Sequence, residues 1–289
     1  MDFERYRATS TKKLADFTTK PENPLTEKAA KKAMKKNRKA LADFQERLYA
    51  HDRNSVLVCF QGMDTSGKDS LIREVFKDFN VRGLEQNSFK TPTDLELSHG
   101  YLWRHYVALP RKGHFGIFNR SHYENVLVTR VHPEYLLKEN LPDIHSIDDI
   151  TDDFWKMRFE QINNFEKELT ENGMIVFKFF LNLSKEEQKN RLLRRLNLPE
   201  KNWKFSAGDL KERELWDKYM YAYEQAIQHT SKENAPWFVI PADDKPMARY
   251  IVSSILRDSL DPLEHIKFPS LEEDTASRLE EFKTILNNE

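Results

Sequence analysis

One nine-residue stretch, Gly62-Met63-Asp64-Thr65-Ser66-Gly67-Lys68-Asp69-Ser70, constrains this chain more than any other. It follows the apolar run SVLVCF at 55–60 directly and opens a helical pattern over 70–79. A continuous apolar run of that length suits a strand buried on both faces. Gly62 and Gly67 permit backbone turns that aim successive N–H groups at an anion. The following helix presents its positive end to the same point, and Lys68 adds a mobile point charge. Thr65 and Ser66 belong to the same cradle. A Gly-x4-Gly-Lys match alone is weak. Set between an apolar strand and a helix, it predicts a true phosphate-binding loop.

Two positions depart from the common pattern. Asp69 follows Lys68 where Ser or Thr would usually hold Mg2+, and Asp64 puts a carboxylate inside an anion cradle. A carboxylate facing phosphates repels them unless a divalent cation lies between, so Asp64 is the leading Mg2+-organising residue. Activation of an acceptor phosphate through the metal, or a turn-forming role, are the other readings of Asp64. Asp69 fits a metal role or the negative residue that a helix N-terminus favours.

The rest of the chain alternates strand and helix. Strand patterns fall at 115–118, 174–183 and 237–240, helical ones at 25–49, 153–171, 185–196, 210–229 and 247–259. Such alternation predicts an α/β fold with a mostly parallel sheet flanked by helices. Ser184 with Glu187, and Ser270 with Glu273, read as capping boxes; Gly173 reads as a helix C-cap. The expected organisation is an N-terminal arm and basic helix at 1–53, a core at 54–262 with a lid at about 197–213, and a helical tail at 263–289.

With 39% apolar and 32% charged residues the chain suits a soluble enzyme. No apolar run approaches the ~18 residues that cross a bilayer, and no secretory leader is visible. The single cysteine, Cys59, excludes an internal disulfide and reads as a small buried hydrophobe, which predicts a cytoplasmic protein. A net charge of −1 argues against a general nucleic-acid coat. That sum hides the cationic stretch KAAKKAMKKNRK at 28–39, either a solvated helix face, an anion-attracting surface or an oligomer contact.

The segment GIFNRSHYE at 116–124 reads as a strand delivering polar residues at its C-terminal end, the edge where α/β sheets bind ligands. Asn119 stands where ATPases usually carry a metal-binding acid, which throws more of that work onto Asp64. Arg120 is suited to bridge donor and acceptor phosphates in a transition state. His122 reads as structural. Arg191 and Arg195 share a helical face that leads into a Pro-containing, Lys-rich segment with Lys204, Lys211 and Arg213, as a closing lid over phosphates needs.

These residues resemble the polyphosphate kinase type 2 family. The resemblance rests on GMDTSGKD at 62–69, SHGYLWRHYVALP at 98–110, FNRSHYENVLVTRVHPEYL from Phe118, EEQKNRLLRR at 186–195, KNWKFSAGDLKERELWDKY at 201–219 and APWFVIPAD at 235–243. It implies a thymidylate-kinase-like P-loop fold with a helical lid, and reversible Mg2+-dependent transfer from inorganic polyphosphate to nucleotides, with Mn2+ able to replace Mg2+. By resemblance, Asp64, Lys68 and Arg120 are catalytic, and Asp64 and Asp69 hold the metal. Gly62, Thr65, Ser66, Gly67, Lys68, Arg191, Arg195 and Lys204 hold polyphosphate. Asn119, Glu124, Arg130 and Arg104 lie near the acceptor. The Asn-Arg-Ser-His-Tyr-Glu form is similar to the subgroup accepting nucleoside mono- and diphosphates, which implies AMP to ADP and ADP to ATP, with guanine nucleotides as further acceptors. The family also implies a homo-oligomer, dimer or tetramer, without nucleic-acid or membrane partners.

An ordinary ATP-dependent nucleoside monophosphate kinase of the same fold is the alternative. It needs a pocket for the donor's adenine, whereas polyphosphate needs only a long cationic track. A non-catalytic polyanion-binding protein is a further alternative, and the missing Asn-Lys-x-Asp pattern argues against a GTPase.

Overall fold

A computed structural model of the chain describes residues 3–289; the first two residues of the expected arm lie outside it. Along the chain run α1 (Glu27–His51), β1 (Ser55–Gln61), α2 (Lys68–Val75), β2 (Leu84–Ser88), α3 (Asp94–Leu97), α4 (Trp103–Val107) and β3 (Phe115–Asn119). Next come α5 (Glu124–Val131), α6 (Asp152–Glu171), β4 (Met174–Asn182), α7 (Lys185–Asn197), α8 (Pro199–Asn202) and α9 (Ala207–Glu214). The chain ends with α10 (Trp216–Thr230), β5 (Trp237–Pro241), α11 (Lys245–Leu260), α12 (Glu273–Ser277) and α13 (Leu279–Asn287).

The five strands form one parallel sheet in the order β2-β3-β1-β4-β5. β1 sits at its centre, and all seven of its residues are buried. Side chains alternate across it as the pleat dictates. Val56, Val58 and Phe60 join the core beneath α1, α2 and α11, while Leu57 and Cys59 face Phe165 and Leu169 of α6. The chain leaves β1 for β2 at one edge and later leaves β3 for β4 on the other side of β1, which opens a crevice at the C-terminal ends of β1 and β3.

Several expectations change in detail. The polar edge strand β2 (LEQNS) carries no apolar pattern, because it joins the sheet through its backbone pairing with β3. The helix read over 25–49 begins at Glu27, and its buried stripe runs through Ala30, Met34, Asn37, Leu41, Phe44 and Leu48. Its contact with α11 is partly polar there: Asn37 Nδ2 donates to Ser253 Oγ at 3.0 Å and Ser254 Oγ at 2.8 Å. The helix read over 210–229 breaks at Leu215 into α9 and α10. Ser184 caps α7, but Asp243 rather than Glu187 accepts from its backbone N–H. The box expected at Ser270 is absent, since α12 begins after Glu272. The N-terminal arm is tied down: Ala8 N donates to Trp237 O, and Asp243 N donates to Thr19 O. Among the described residues no helix is long and apolar enough to cross a membrane.

A buried polar cluster supports the segment after β3. Lys178 of β4 points to the α6 side of the sheet, where its Nζ donates to Glu166 Oε2 at 2.6 Å, Tyr123 Oη at 2.9 Å and Thr230 O at 2.7 Å. Tyr123 Oη donates to Glu166 Oε1 at 2.8 Å, and His122 Nε2 lies 3.1 Å from the same oxygen. Burial raises the Glu166 pKa, but Lys178 and His122 outweigh it and hold the carboxyl below its ordinary value. Burial also lowers the His122 pKa, in keeping with its structural reading. Removing one member of such a pair strands the other charge in the core. Lys178→Met should cost about 3–5 kcal/mol of stability at neutral pH, measured by urea unfolding. A loss below about 1 kcal/mol would show that the cluster is not a paired charge site.

Candidate active site

The loop between β1 and α2 has the shape its glycines predict. Gly62 has φ 151 and Gly67 φ 104, and a Cβ on Gly62 would lie 2.9 Å from Ser66 Oγ and 3.0 Å from Leu181 O. Thr65 also takes a left-handed conformation, φ 65, which a β-branched residue adopts only under constraint. That constraint is Arg191. Its Nη1 donates to Thr65 O at 3.0 Å and Ser66 O at 2.9 Å, and its Nη2 to Ala242 O at 2.7 Å and Asp243 O at 3.1 Å. Its Nε donates to Glu187 Oε1 at 2.7 Å. All five N–H groups are thus spent on the protein. Arg191 also lines the cavity at the loop, so the side chain expected to hold polyphosphate fixes the loop carbonyls as well.

Lys68 folds back over the loop, donating to Gly62 O at 2.6 Å and Met63 O at 3.3 Å. Burial, then the nearby Arg120, lower its pKa to about 8. Arg120 follows β3 with φ 63, a second strained non-glycine position. Its guanidinium donates to Asp64 Oδ1 at 3.0 Å and Glu124 Oε2 at 3.3 Å. The charge of Glu124, opposed by burial and aided by Asp64, pushes its pKa up. Asp64, Lys68 and Arg120 therefore meet at one point, as expected.

Asn119 Nδ2 donates to Asp69 Oδ1 at 2.6 Å, so the neutral residue after β3 orients the carboxylate after Lys68. Among the described residues no group of three or more His, Cys, Asp or Glu gathers as a ready-made metal cage. Asp64 and Asp69 do line one cavity. Two carboxylates beside phosphates are the usual holding for Mg2+, which keeps several waters, so the donor set fits that ion. The buried hydroxyls of Thr65 and Ser66 have no hydrogen-bond partner in the protein and lie in the same lining.

This cavity, about 880 Å³, defines the site. Eleven cationic side chains line it against two carboxylates, and no aromatic or large apolar side chain is among its lining residues. Lys68 and Arg120 sit at its floor, Arg195, Lys201 and Lys204 on the lid side, and Arg73, Lys90, Arg194, Lys245 and Arg249 on the other walls. Arg195 Nη1 donates to Asp209 Oδ2 at 3.1 Å, which braces α7 against α9. Lys245 sits among Arg191, Arg194 and Arg249; burial, then those cations, lower its pKa to about 8. A second hollow of about 770 Å³, lined by Tyr101, Trp103 and Tyr106 among others, shares no lining residue with the first.

Other expected residues lie apart. Arg104 is buried and its Nη1 donates to Lys90 O at 2.8 Å, so it positions a cavity wall without lining the cavity. Arg130 lies between the rings of Trp155 at 5.0 Å and Tyr221 at 5.2 Å, in a separate hollow. Arg213 Nη1 donates to Lys185 O and Gln188 Oε1, and Lys211 is not a lining residue. Glu124 is not a lining residue and touches the site by its bond from Arg120.

The family described as Polyphosphate kinase 2 (PPK2) matches residues 24–267. The chain belongs to the polyphosphate kinase 2 family. It is 48% identical over 223 residues to the ADP-polyphosphate phosphotransferase of Rhodopseudomonas palustris, covering 77% of this chain and 76% of that protein. It is 46% identical over 235 residues to the AMP/ADP-polyphosphate phosphotransferase of Meiothermus ruber, covering 81% and 82%. The crystal structure of Polyphosphate Kinase 2 from Arthrobacter aurescens TC1 superposes with a TM-score of 0.87 at 36% identity, covering 98% of this chain and 95% of that one.

Of the polyphosphate kinase 2 cavity residues, Arg73, Lys90, Arg194, Lys245 and Arg249 went unread in the sequence. One had a visible signal. Lys245 stands in the first turn of a helix, where the macrodipole disfavours a cation unless an anion is bound nearby. Lys68 and Lys245 bind anions only when protonated. Tripolyphosphate affinity, measured by calorimetry, should therefore fall as pH rises through about 8, by up to about tenfold per pH unit for each lysine required. Unchanged affinity from neutral to alkaline pH would contradict this account.

Proposed function

We propose that this chain transfers a phosphoryl group from inorganic polyphosphate to nucleotides, AMP to ADP and ADP to ATP, with guanine nucleotides as further acceptors. One observation carries the reading: the cavity at the phosphate loop is lined by cations without an aromatic or apolar slot for a donor's base. A donor that is all phosphate fits such a lining, whereas ATP would leave its adenine without a partner there. The relatives from Rhodopseudomonas palustris and Meiothermus ruber, an ADP-polyphosphate and an AMP/ADP-polyphosphate phosphotransferase, agree with it.

The chemistry follows from the residues at the floor. An acceptor phosphate oxygen attacks the terminal phosphorus of the chain, and the bridging P–O bond breaks toward the shortened chain. Little covalent work falls to the protein, so positioning and charge dominate. The loop N–H groups hold the chain end. Lys68 exchanges the carbonyls of Gly62 and Met63 for the moving phosphoryl oxygens, and Arg120 leaves Asp64 and Glu124 to span donor and acceptor. Asp64 and Asp69 would hold Mg2+, or Mn2+ in its place, which when bound supplies positive charge to the phosphate oxygens. Lys201, Lys204 and Arg195 would close over the chain from the lid side. The reading also places the protein in the cytoplasm as a dimer or tetramer; exposed apolar side chains such as Val81 and Val107 offer contact area outside the cavity.

The test supplies purified protein, Mg2+ and AMP with either polyphosphate or ATP as the sole phosphoryl donor. ADP should form with polyphosphate, and Lys68→Ala should lower kcat by about a hundredfold to a thousandfold. Turnover with ATP alone would favour the nucleoside monophosphate kinase. Tight polyphosphate binding without turnover, unaltered in Asp64→Asn, would favour a non-catalytic binder.

A further inference from the structure

Arg73 of α2 and Arg249 of α11 form one wall of the cavity. Arg249 Nε is buried without an acceptor in the protein. Beyond that wall lies the first half of α1. Asn37 of α1 bonds Ser253 and Ser254 of α11, and Arg47 lies 4.0 Å from Asp261, so the two helices run in the same direction. The first turns of α1 therefore lie beside the first turns of α11, which carry Lys245 and Arg249. One face of α1 also turns toward α2: Arg38 Nε donates to Asp78 Oδ2 at 3.0 Å and its Nη1 to Glu74 O at 3.3 Å. Lys35 and Lys31 precede Arg38 by three and seven residues and share that face by helical spacing. Both are exposed. Lys35 forms no ion pair among the described residues, and Lys31 meets only the exposed Glu27, at 2.5 Å.

Resting on the polyphosphate reading, we propose that the distal part of a long chain leaves the cavity over Arg73 and Arg249 and lies along Lys31 and Lys35 of α1. This outer track gives long chains an affinity that short ones lack. A different exit, past Lys20 and Lys245, opens into a hollow of about 700 Å³. There four carboxylates, Asp243 and Asp244 among them, offset four cations. A polyanion gains little from so balanced a surface, whereas on the path over Arg249 the cations Arg73, Arg249, Lys31 and Lys35 outnumber the carboxylates Glu74 and Glu27.

The experiment measures binding of long-chain polyphosphate and of tripolyphosphate to wild-type protein, to a Lys31→Glu/Lys35→Glu variant, and to Lys36→Glu, which reverses a charge on the far side of α1. The double variant should bind long chains about fivefold more weakly, with tripolyphosphate affinity unchanged. Lys36→Glu should resemble wild type. Equal weakening of both ligands, no weakening of either, or the same loss in Lys36→Glu overturns the proposal. Binding alone is read, so a wild-type protein that holds chains without turning them over counts against the catalytic reading and leaves the outer track decided by the same titration.

Discussion

Eleven cations around one cavity repel each other, and two carboxylates cannot neutralise them. Everything else about the site follows from that imbalance. The protein relieves it partly by internal pairing: Arg120 rests on Asp64 and Glu124, Lys68 on loop carbonyls, and Arg195 on Asp209. It relieves it partly by lowering the basicity of Lys68 and Lys245. Both devices are reversible, and both yield when a multiply charged anion enters. The site is thereby prepared for a ligand whose charge recurs along its length.

Holding such charges close together requires a rigid frame. β1 supplies it from the sheet's centre, and the strained backbones of Thr65 and Arg120 are fixed by their surroundings. Arg191 ties the phosphate loop to the end of β5 through four carbonyl oxygens. The Glu166–Lys178–Tyr123 cluster lies directly under the turn that carries Arg120. Neither group needs to touch substrate for its loss to loosen the site.

The parts legible in the sequence were those written in apolar runs and glycines. β1, β3, β4 and β5 are buried on both faces and read as continuous strands, and the phosphate loop followed from its flanks. The family match over 24–267 and the superposition on the Arthrobacter aurescens structure agree with that reading of the core. Other parts escaped because their signal is polar or tertiary. β2 is a polar strand that joins the sheet at its edge by pairing with β3, and α1 meets α11 partly through Asn37 and two serines. Helical spacing runs across the break at Leu215 without marking it. Residue type could not tell that Arg191 serves the loop's backbone or that Arg130 stacks between two rings, because an arginine's partner is fixed only in three dimensions. Arg73 and Arg249 lie far apart in sequence and meet only at the cavity wall.

The central claim is that charge alone, without recognition of a base, holds the donor. It is tested most directly by the affinity of tripolyphosphate as a function of salt concentration, compared with that of free adenosine. Several phosphate contacts made in parallel should make tripolyphosphate binding weaken steeply with added salt, while adenosine shows no measurable binding in the same cavity. Salt-insensitive tripolyphosphate binding, or adenosine competing with it, would contradict the account.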